Sequence, residues 1–488
     1  MLSVLLTLFL FAGAGILANF RLFENQLFGL PKEFTNFLLG DSKYESLNKS
    51  KHEFHIITNQ AINPIYQMFD SPQKWYQWLR HRDTLPIFID DNEPIRLNIV
   101  MTQINDLTGG PLSIMHFAVL AAKAGIVVRW INIYGAGTSY EYLLDRLKKY
   151  EGLEQFGELV SYVHHGFATQ MRTNSRDIFM GTIWFTASIA SATQKNLRNP
   201  NILYFIQDYE AIFSPHDSSF VEASESYDLP HFAVFSTSFL SDFFKEKKLG
   251  VYKGSRRLGD SRSFVSEPVV KPFRLDGHTR IGRQHNSNAK RRLIIYARPH
   301  KPRNAYELAI AALSESVRLH VLDPAKWELV GVGAAKNATE CNLGDRGKAA
   351  CIRLIKNIPE PSYKRLLAGA DIGFSLMISP HPSLPPFDFA AAGMVVVTNS
   401  FETKTQETLG KVSSNLIAAE PTLIGIVNGI AEAVLRIDNV EQREKGSKLN
   451  WPTSWDDERC YGQKLFSKVK TWFSEKSIYP FELKTLKT

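Results

Sequence analysis

The feature that most constrains the fold is a repeated alternation between short apolar runs and longer segments whose apolar residues have helical spacing. One series begins with the run Arg96–Met101 and continues to about residue 275. A polar, basic stretch follows, and a second series begins at Arg292–Tyr296 and continues to about residue 450. Strands that alternate with helices form parallel sheets covered on both faces, and such sheets bind ligands at the carboxyl ends of their strands. The sequence therefore predicts two Rossmann-like α/β domains that face a central cleft.

The two series place the domains at 96–275 and 291–450. Residues 1–20 are uncharged, largely apolar and just long enough to span a bilayer, which predicts a membrane-associated segment. A helix packed on the main body is the alternative. Because the first positive charges, Arg21 and Lys32, follow this segment, its insertion would leave the body in the cytoplasm, at the inner face of the membrane. We interpret 21–95 as an N-terminal helical extension and 451–488 as a C-terminal helical tail that returns to the first domain.

Charge and cysteine content narrow the function classes. The net charge of +8 suits an anionic partner, such as a nucleotide diphosphate or an anionic lipid headgroup. The charge is thinly spread, with dense blocks only at Lys245–Lys248 and Lys290–Arg292, and there is no zinc-finger spacing, so nucleic acid is a weak option. Three cysteines without a CxxC pair predict neither a disulfide framework nor a zinc site, and they favour a reducing compartment.

Residues 375–393 are typical of a buried strand, a turn-rich loop and a helix that starts at Pro385-Pro386. This arrangement would present backbone N–H groups and the positive end of a helix to a ligand. Asp388, near the start of the helix, could accept hydrogen bonds from ribose hydroxyls. Alternatively, Asp388 only caps the helix.

Residues 294–305 are typical of a strand, a basic loop and the start of a helix. Arg298, Lys301 and Arg303 put three cations at the edge of the predicted sheet. Such a group can neutralise a diphosphate, and arginine does so with bidentate geometry. A solvated basic turn is the alternative, chiefly for Lys301, because Arg298 directly follows an apolar strand.

These two segments resemble the nucleotide-sugar motifs of GT-B glycosyltransferases of family four. The similarity is strongest to bacterial rhamnosyltransferases of surface-polysaccharide and S-layer-glycan assembly, which carry a run very similar to Ser375–Ser383 followed by Pro385-Pro386. The resemblance implies that Asp388 binds the donor ribose, that Arg298 and Arg303 bind the diphosphate, and that the anomeric configuration is retained. Pro380 stands where the family has its first acid, so the candidates for holding the donor sugar are His381, Ser383 and Leu384.

The resemblance adds further donor-side candidates. Gly331 and Gly333 match a nucleotide-facing loop, where small residues allow a close backbone approach, although the residues alone favour an ordinary strand-to-loop turn. Ile358 lies where the family's base-contacting loop is expected. Lys404 could reach the donor or close the cleft, but it also fits an ordinary surface lysine.

The N-terminal domain has its own candidates. Gly109 and Gly110 resemble a family loop that closes over the donor, or they form a tight turn. Asp208, in the run Gln207–Glu210, comes just after a predicted strand and could position or deprotonate an acceptor hydroxyl. A structural acid is the alternative, and Asp106 is a second candidate for the catalytic role.

The sequence thus predicts a hexosyltransferase of the rhamnosyltransferase type, which moves a sugar from a nucleotide-diphosphate donor to a hydroxyl of a growing glycan, free or lipid-linked. The resemblance implies dTDP-L-rhamnose as donor, and UDP- or GDP-sugars stay open. No cofactor and no metal ion are expected, since the histidines lack metal-ligand spacing. The alternatives are a non-catalytic glycan-binding protein of the same fold and a nicotinamide-dependent enzyme. The missing G-x-G-x-x-G after the first strand disfavours the second alternative.

Overall fold

The structure is a computed structural model that describes residues 83–102, 104, 107, 109–133, 139–273, 290–334, 336–344, 350–356, 358 and 360–474. The predicted membrane-associated segment 1–20, most of the predicted extension 21–95 and the end of the predicted tail lie outside these residues. Within them, no helix is long and apolar enough to cross a membrane.

The N-terminal half alternates strands and helices around one parallel sheet. Its elements are β1 (Ile87–Ile89), β2 (Arg96–Met101), α1 (Gly109–Lys123), β3 (Val127–Asn132), α2 (Tyr140–Leu147), α3 (Phe156–Leu159), β4 (Val160–Val163), β5 (Met171–Thr173), β6 (Ile178–Gly181), α4 (Trp184–Gln194), β7 (Ile202–Ile206), α5 (Ser218–Ser226), β8 (His231–Phe235), α6 (Ser238–Lys247), α7 (Arg256–Ser261) and β9 (Ser263–Val265). Seven strands pair in parallel in the order β4-β3-β2-β6-β7-β8-β9. All five residues of β7 and of β8 are buried, as expected for strands covered on both faces.

Residues 83–95 differ from the helical extension that the sequence predicts. They contain β1, which pairs in parallel with β5 in a separate two-stranded sheet, and no helix. Pro86 and Pro94 bracket this segment, and proline disfavours the helical conformation in the residue before it. The isoleucines between them suit an extended strand.

The C-terminal half repeats the architecture around a second sheet. Its elements are β10 (Arg291–Tyr296), α8 (Tyr306–Arg318), β11 (Trp327–Val332), β12 (Ala338–Leu343), β13 (Ala350–Ile355), α9 (Glu360–Ala368), β14 (Ile372–Phe374), α10 (Pro385–Ala391), β15 (Val395–Asn399), α11 (Gln406–Gly410), β16 (Leu416–Ala419), α12 (Leu423–Arg436), α13 (Val440–Ser447) and α14 (Gln463–Ser474). The strand order is β12-β13-β11-β10-β14-β15-β16, and all pairs are parallel except β12 with β13. The prediction of two Rossmann-like sheets is therefore confirmed.

The antiparallel edge of this sheet carries a disulfide that the sequence did not predict. Cys341 on β12 is bonded to Cys351 on β13. Glu340 pairs with Ile352, and the strands are antiparallel, so Cys341, which follows Glu340, lies opposite Cys351, which precedes Ile352. The expectation of no disulfide was wrong because cysteine spacing alone does not reveal which strands form a hairpin. Cys460 is free and buried.

The chain returns to the first domain after the second is complete. At the crossing, Trp451 Nε1 donates to the carbonyl of Pro268 at 2.5 Å, and Val270 N–H donates to the carbonyl of Pro452 at 3.0 Å. Helix α14 then adds its apolar face to the first domain's core. The Trp472 ring stacks on Phe232 with 4.9 Å between centroids. The last described helix is therefore part of the N-terminal domain.

Replacing Trp472, which is 2% exposed, tests the contribution of this returning helix. We expect Trp472→Ala to lower the free energy of unfolding by about 3–5 kcal/mol, because it removes a buried indole and leaves a cavity. Urea unfolding followed by circular dichroism measures the change. Leu435→Ala is the control, since Leu435 is 84% exposed. Equal midpoints for the two variants would contradict a core role for α14.

Candidate active site

The two domains meet at Asp208, a buried residue that lies two positions after β7. Its Oδ1 accepts a hydrogen bond from Ser379 Oγ of the C-terminal domain. Tyr209 N–H donates to the same oxygen at 2.8 Å. In the described part of the chain Oδ2 makes no hydrogen bond, so one carboxylate oxygen is available to a ligand.

A buried tyrosine holds the turn that carries Asp208. Tyr227 Oη donates to the carbonyl of Asp208 at 3.1 Å and accepts from Glu210 N–H at 2.9 Å. Glu210 Oε2 accepts from Trp184 N–H at 2.6 Å. Burial raises the pKa of Glu210 to about 8, and the negative charge of Asp208 adds to this rise. Glu210 is therefore mainly neutral at pH 7.

Residues 375–384, which we call the 375–384 loop, are fixed by side chains from neighbouring segments. Asn399 Oδ1 accepts from Met377 N–H at 2.7 Å, and Asn304 Nδ2 donates to the carbonyl of Leu376 at 3.0 Å. Lys404 Nζ donates to the carbonyl of Met377 at 2.6 Å. These bonds are buried, so the backbone of the loop is set before a ligand arrives.

The three donor-sugar candidates lie on or beside a strained turn at the end of this loop. His381 N–H donates to Ser379 Oγ at 3.1 Å, and Ser383 N–H donates to His381 Nδ1 at 3.0 Å. Ser383 has φ of 67°, a left-handed conformation that is uncommon for a residue with a Cβ and is found most often at binding and active sites. Burial lowers the pKa of His381, so the neutral imidazole is favoured. A Cβ at Gly109 would lie 3.8 Å from Leu384 Cδ1, which brings the start of α1 beside this turn.

Lys404 is not the surface residue that the sequence allowed as an alternative, because it is fully buried. Burial lowers its pKa to about 7, and the negative charge of Asp208 opposes this by raising it. Lys404 thus lies near the contact between the domains, but its ammonium group is occupied by the backbone of the 375–384 loop.

The basic segment 298–303 follows β10. Arg298 Nη1 donates to Tyr296 Oη at 3.0 Å. The Arg303 guanidinium lies 4.3 Å from the ring centroid of Phe213, a residue of the N-terminal domain, and its Nε is buried without a hydrogen-bond partner. Burial lowers the pKa of Lys301, and the charges of Arg298 and Arg303 lower it further.

These three cations form no salt bridge in the described part of the chain, although Arg303 is close enough to the buried Glu210 for its charge to lower the pKa of that carboxyl group. Clustered cations repel one another, and a buried, unpaired N–H is costly to leave unsatisfied. The segment is therefore suited to an anion that approaches from the cleft.

Asp388 lies in the first turn of α10, which begins at Pro385. Proline is favoured at this position because its fixed φ suits a helix and its missing N–H is not needed there. The Asp388 carboxylate makes no hydrogen bond in the described part of the chain, so the capping alternative is wrong. Burial raises its pKa to about 7. Tyr363 is close enough to Asp388 and Tyr296 for their charges to raise its own pKa, although burial is the larger cause.

The glycine candidates have different roles. Gly333 has φ of 83°, and a Cβ there would lie 3.1 Å from the Tyr296 ring and 3.5 Å from Arg298 Cγ, so it lies against the basic segment. Gly331 is inside β11, where a Cβ would come within 2.5 Å of Leu354, so packing in the sheet explains it. Gly110 is in the first turn of α1, close to the Gln207 side chain.

The remaining candidates are less well defined. Asp106 lies outside the described residues. Ile358 is partly buried, and both of its chain neighbours lie outside the description. Within the described ranges, no group of three His, Cys, Asp or Glu residues could hold a metal ion.

Sequence reasoning missed several residues that complete the site. Ser379 lies in the run that carries the resemblance, but its partner in the other domain was not apparent. Asn399 follows an apolar run, where a polar residue after a strand is a usable signal. Phe213 and Tyr227 carry no signal, because only the fold brings them to Arg303 and Asp208.

Comparison with known proteins covers both domains. The chain matches the family models WsaF, N-terminal domain, over residues 121–238 and WsaF, C-terminal domain, over residues 291–431. Together these matches cover more than half of the 488 residues. The chain is also 28% identical over 286 residues to the O-antigen biosynthesis protein RfbC of Myxococcus xanthus, which is 57% of this chain and 20% of that protein. It therefore spans about a fifth of the length of this relative.

Solved structures share the architecture at low sequence identity. A mutant of S. aureus TarM in complex with Fondaparinux, alpha-GlcNAc-glycerol and UDP has a TM-score of 0.52 at 8% identity, over 78% of this chain and 100% of that chain. Anabaena HepE in complex with UDP-glucose has a TM-score of 0.48 at 12% identity, over 78% and 100% of the two chains. With the two family matches and the paired Rossmann-like sheets, the conclusion is that the chain belongs to the WsaF family and has the GT-B glycosyltransferase fold.

Proposed function

We propose that the chain transfers L-rhamnose from dTDP-L-rhamnose to a hydroxyl of a growing surface glycan. The observation that carries the proposal is the cluster of Arg298, Lys301 and Arg303, which forms no salt bridge among the described residues and includes a buried N–H without a partner. A nucleotide diphosphate would supply the missing negative charge. Membership of the WsaF family supports rhamnose, and the name of the RfbC relative supports a surface polysaccharide. A UDP-sugar is the alternative donor, favoured by the UDP in the TarM complex.

The proposed mechanism assigns the diphosphate to the arginines. Arg298 and Arg303 bind it in the ground state and stabilise the charge that grows as the sugar leaves, which is an electrostatic role. Asp388 accepts a hydrogen bond from the sugar hydroxyl of the nucleoside. Gly333 and Ile358 border the nucleotide, and the N–H groups near Ser383 and Leu384 face the donor sugar together with His381.

The acceptor side of the mechanism rests on Asp208. Its free Oδ2 positions the acceptor hydroxyl or takes its proton, while Oδ1 keeps its bonds to Tyr209 and Ser379. Gly109 and Gly110 border the donor from the N-terminal side. We assign Lys404 a positioning role, because it reaches the backbone of the 375–384 loop.

The proposed location is the cytoplasmic side, at the inner face of the membrane. The support is the apolar segment 1–20 followed by positive charge, since the Cys341–Cys351 disulfide removes the cysteine argument for a reducing compartment. A nucleotide-sugar donor and a lipid-linked glycan acceptor would meet the enzyme there.

Arg298→Ala tests the diphosphate assignment. We expect turnover to fall about 100- to 1,000-fold, because one preorganised donor to the developing charge is lost. The measurement is release of nucleoside diphosphate from dTDP-L-rhamnose and UDP-glucose in the presence of a surface-glycan acceptor. The matched control is Arg176→Ala, an exposed arginine outside the site, which should keep normal turnover. Near-normal turnover of the Arg298 variant would remove this role.

Asp388→Asn tests the nucleoside contact and its pH dependence. The carboxyl group is neutral below its pKa of about 7 and ionised above it, and the ionised form accepts hydrogen bonds better. Affinity of the wild type for dTDP and UDP should therefore fall by up to about tenfold from pH 8 to pH 6. Calorimetric titration should show weaker binding for Asp388→Asn, with a smaller fall in affinity from pH 8 to pH 6 than in the wild type. Asp145→Asn, at an exposed position, is the control. If Asp388→Asn keeps the wild-type pH profile, the assignment of Asp388 to the nucleoside is excluded.

Lys404→Met tests the buried lysine through stability. In the unfolded chain this amine stays protonated to about pH 10.4, whereas in the fold it loses its proton near pH 7. Unfolding between pH 7 and 9 thus takes up a proton, so this group makes the wild type more stable as pH rises, by up to about 1.4 kcal/mol per pH unit. The raised pKa values of Glu210 and Asp388 act in the opposite direction over this range, so the test is the difference between variants. From pH 7 to 9 in urea unfolding, the wild type and the exposed control Lys326→Met should gain more stability than Lys404→Met. The same gain in Lys404→Met would contradict the explanation.

A further inference from the structure

A cavity of about 320 Å³ lies where the two domains and the crossing segment meet, apart from the candidate active site. Helix α6 contributes Ser238 and Phe239, and the residues around α11 contribute Thr403 and Val412. The crossing segment contributes Trp451, and Glu267 and Asn450 supply polar atoms. The volume is at the lower end of the range for small-molecule sites, about 300–1,000 Å³.

Glu267 gives this cavity a buried carboxylate oxygen that has no hydrogen-bond partner. Its Oε1 accepts from Ser238 N–H at 3.0 Å, whereas Oε2 is buried and has no hydrogen-bond partner. Buried carboxylate oxygens normally accept at least one hydrogen bond, so Glu267 Oε2 indicates a place for a ligand that can donate one. Burial also raises the pKa of Glu267 to about 7, as expected for a carboxyl group without a full set of donors.

The other charged residues of the cavity are already paired. Asp242, Lys411 and Arg459 lie within 3.4 Å of opposite charges, which are Lys245, Glu407 and Asp457, respectively. Glu267 forms no salt bridge with a described residue, although the charge of Arg459 partly lowers its pKa, and it lies beside the apolar side chains of Phe239, Val412 and Trp451.

We propose that this cavity binds a small organic ammonium ion. Its N–H groups donate to Glu267 Oε2, and its carbon chain packs against Phe239, Val412 and Trp451. A charge-assisted hydrogen bond in a partly desolvated cavity is stronger than one between neutral groups, and the aromatic walls favour a cation further. This site is distinct from the proposed donor site and does not depend on the identity of the sugar.

Hydrogen bonds connect the cavity to the candidate active site. Thr403 lines the cavity and donates through Oγ1 to the carbonyl of Phe239 at 3.1 Å, so it joins the two domains. The next residue, Lys404, donates to the 375–384 loop.

Thermal unfolding of the full-length protein with putrescine tests the proposal. We expect a saturable rise in Tm with putrescine, because a ligand that binds only the native state stabilises it. At equal concentration and matched ionic strength, 1,4-butanediol, which has the same chain length but no charge, should produce no rise. Glu267→Gln should abolish the response, since it replaces the carboxylate with a neutral amide and removes the charge-assisted hydrogen bond. Glu441→Gln, at an exposed position outside the cavity, should retain it.

A second variant keeps the test decisive if Glu267→Gln does not fold. Val412→Trp fills the cavity while leaving the carboxyl group in place, and it should also lose the putrescine response. Three outcomes would each overturn the proposal. They are a rise in Tm with butanediol equal to that with putrescine, a putrescine response in either cavity variant equal to that of the wild type, and no saturable rise in the wild type at millimolar putrescine.

Discussion

The geometry of the cleft depends on the hydrogen bond from the Ser379 hydroxyl to the buried carboxylate of Asp208. It is a charge-assisted bond in a region of low dielectric, where such bonds are strong. Because Ser379 Oγ also accepts from His381 N–H, the bond fixes the turn that leads into α10. The carbonyl of Arg303 accepts from Ile378 N–H at 2.7 Å, so the basic segment is tied to the same loop. This contact between the domains, together with the stacking of Arg303 on Phe213 and the Thr403–Phe239 hydrogen bond, thus sets the position of Asp208 relative to the C-terminal domain's site residues.

Desolvation shifts the pKa values of several groups near this contact to about 7 or 8. The pKa values of Lys404 and Asp388 are both about 7, and that of Glu210 is about 8, with burial the largest cause in each case. On an open surface all three groups would be charged at pH 7. Perturbed groups of this kind cluster at functional sites, because a ligand that brings its own charge can change their protonation.

The sequence predicted the features that arise from local pattern. The apolar runs located β2, β10 and β11, and the Pro-Pro junction located the start of α10 beside Asp388. Features that depend on strand pairing or on packing between domains could not be predicted from the sequence. The Cys341–Cys351 bond needs knowledge of the β12–β13 hairpin, the burial of Lys404 needs the packing of both domains, and the stacking of Arg303 on Phe213 joins residues from different sheets. The strand at Ile87–Ile89 was hidden within an aromatic region whose composition suited a helix.

The return of the chain to the first domain has a consequence for biosynthesis. The strands of the N-terminal sheet leave the ribosome first, but the core they enclose also contains Cys460, Leu465 and Trp472. About 200 residues separate β9 from the end of α14, and translation at about 5–20 residues per second takes roughly 10–40 s to add them. During that interval the surface that α14 later covers, including the Phe232 ring, is exposed on a nascent domain. The N-terminal domain thus completes its folding only after the C-terminal domain has been synthesised, and until then it is a natural client for chaperones.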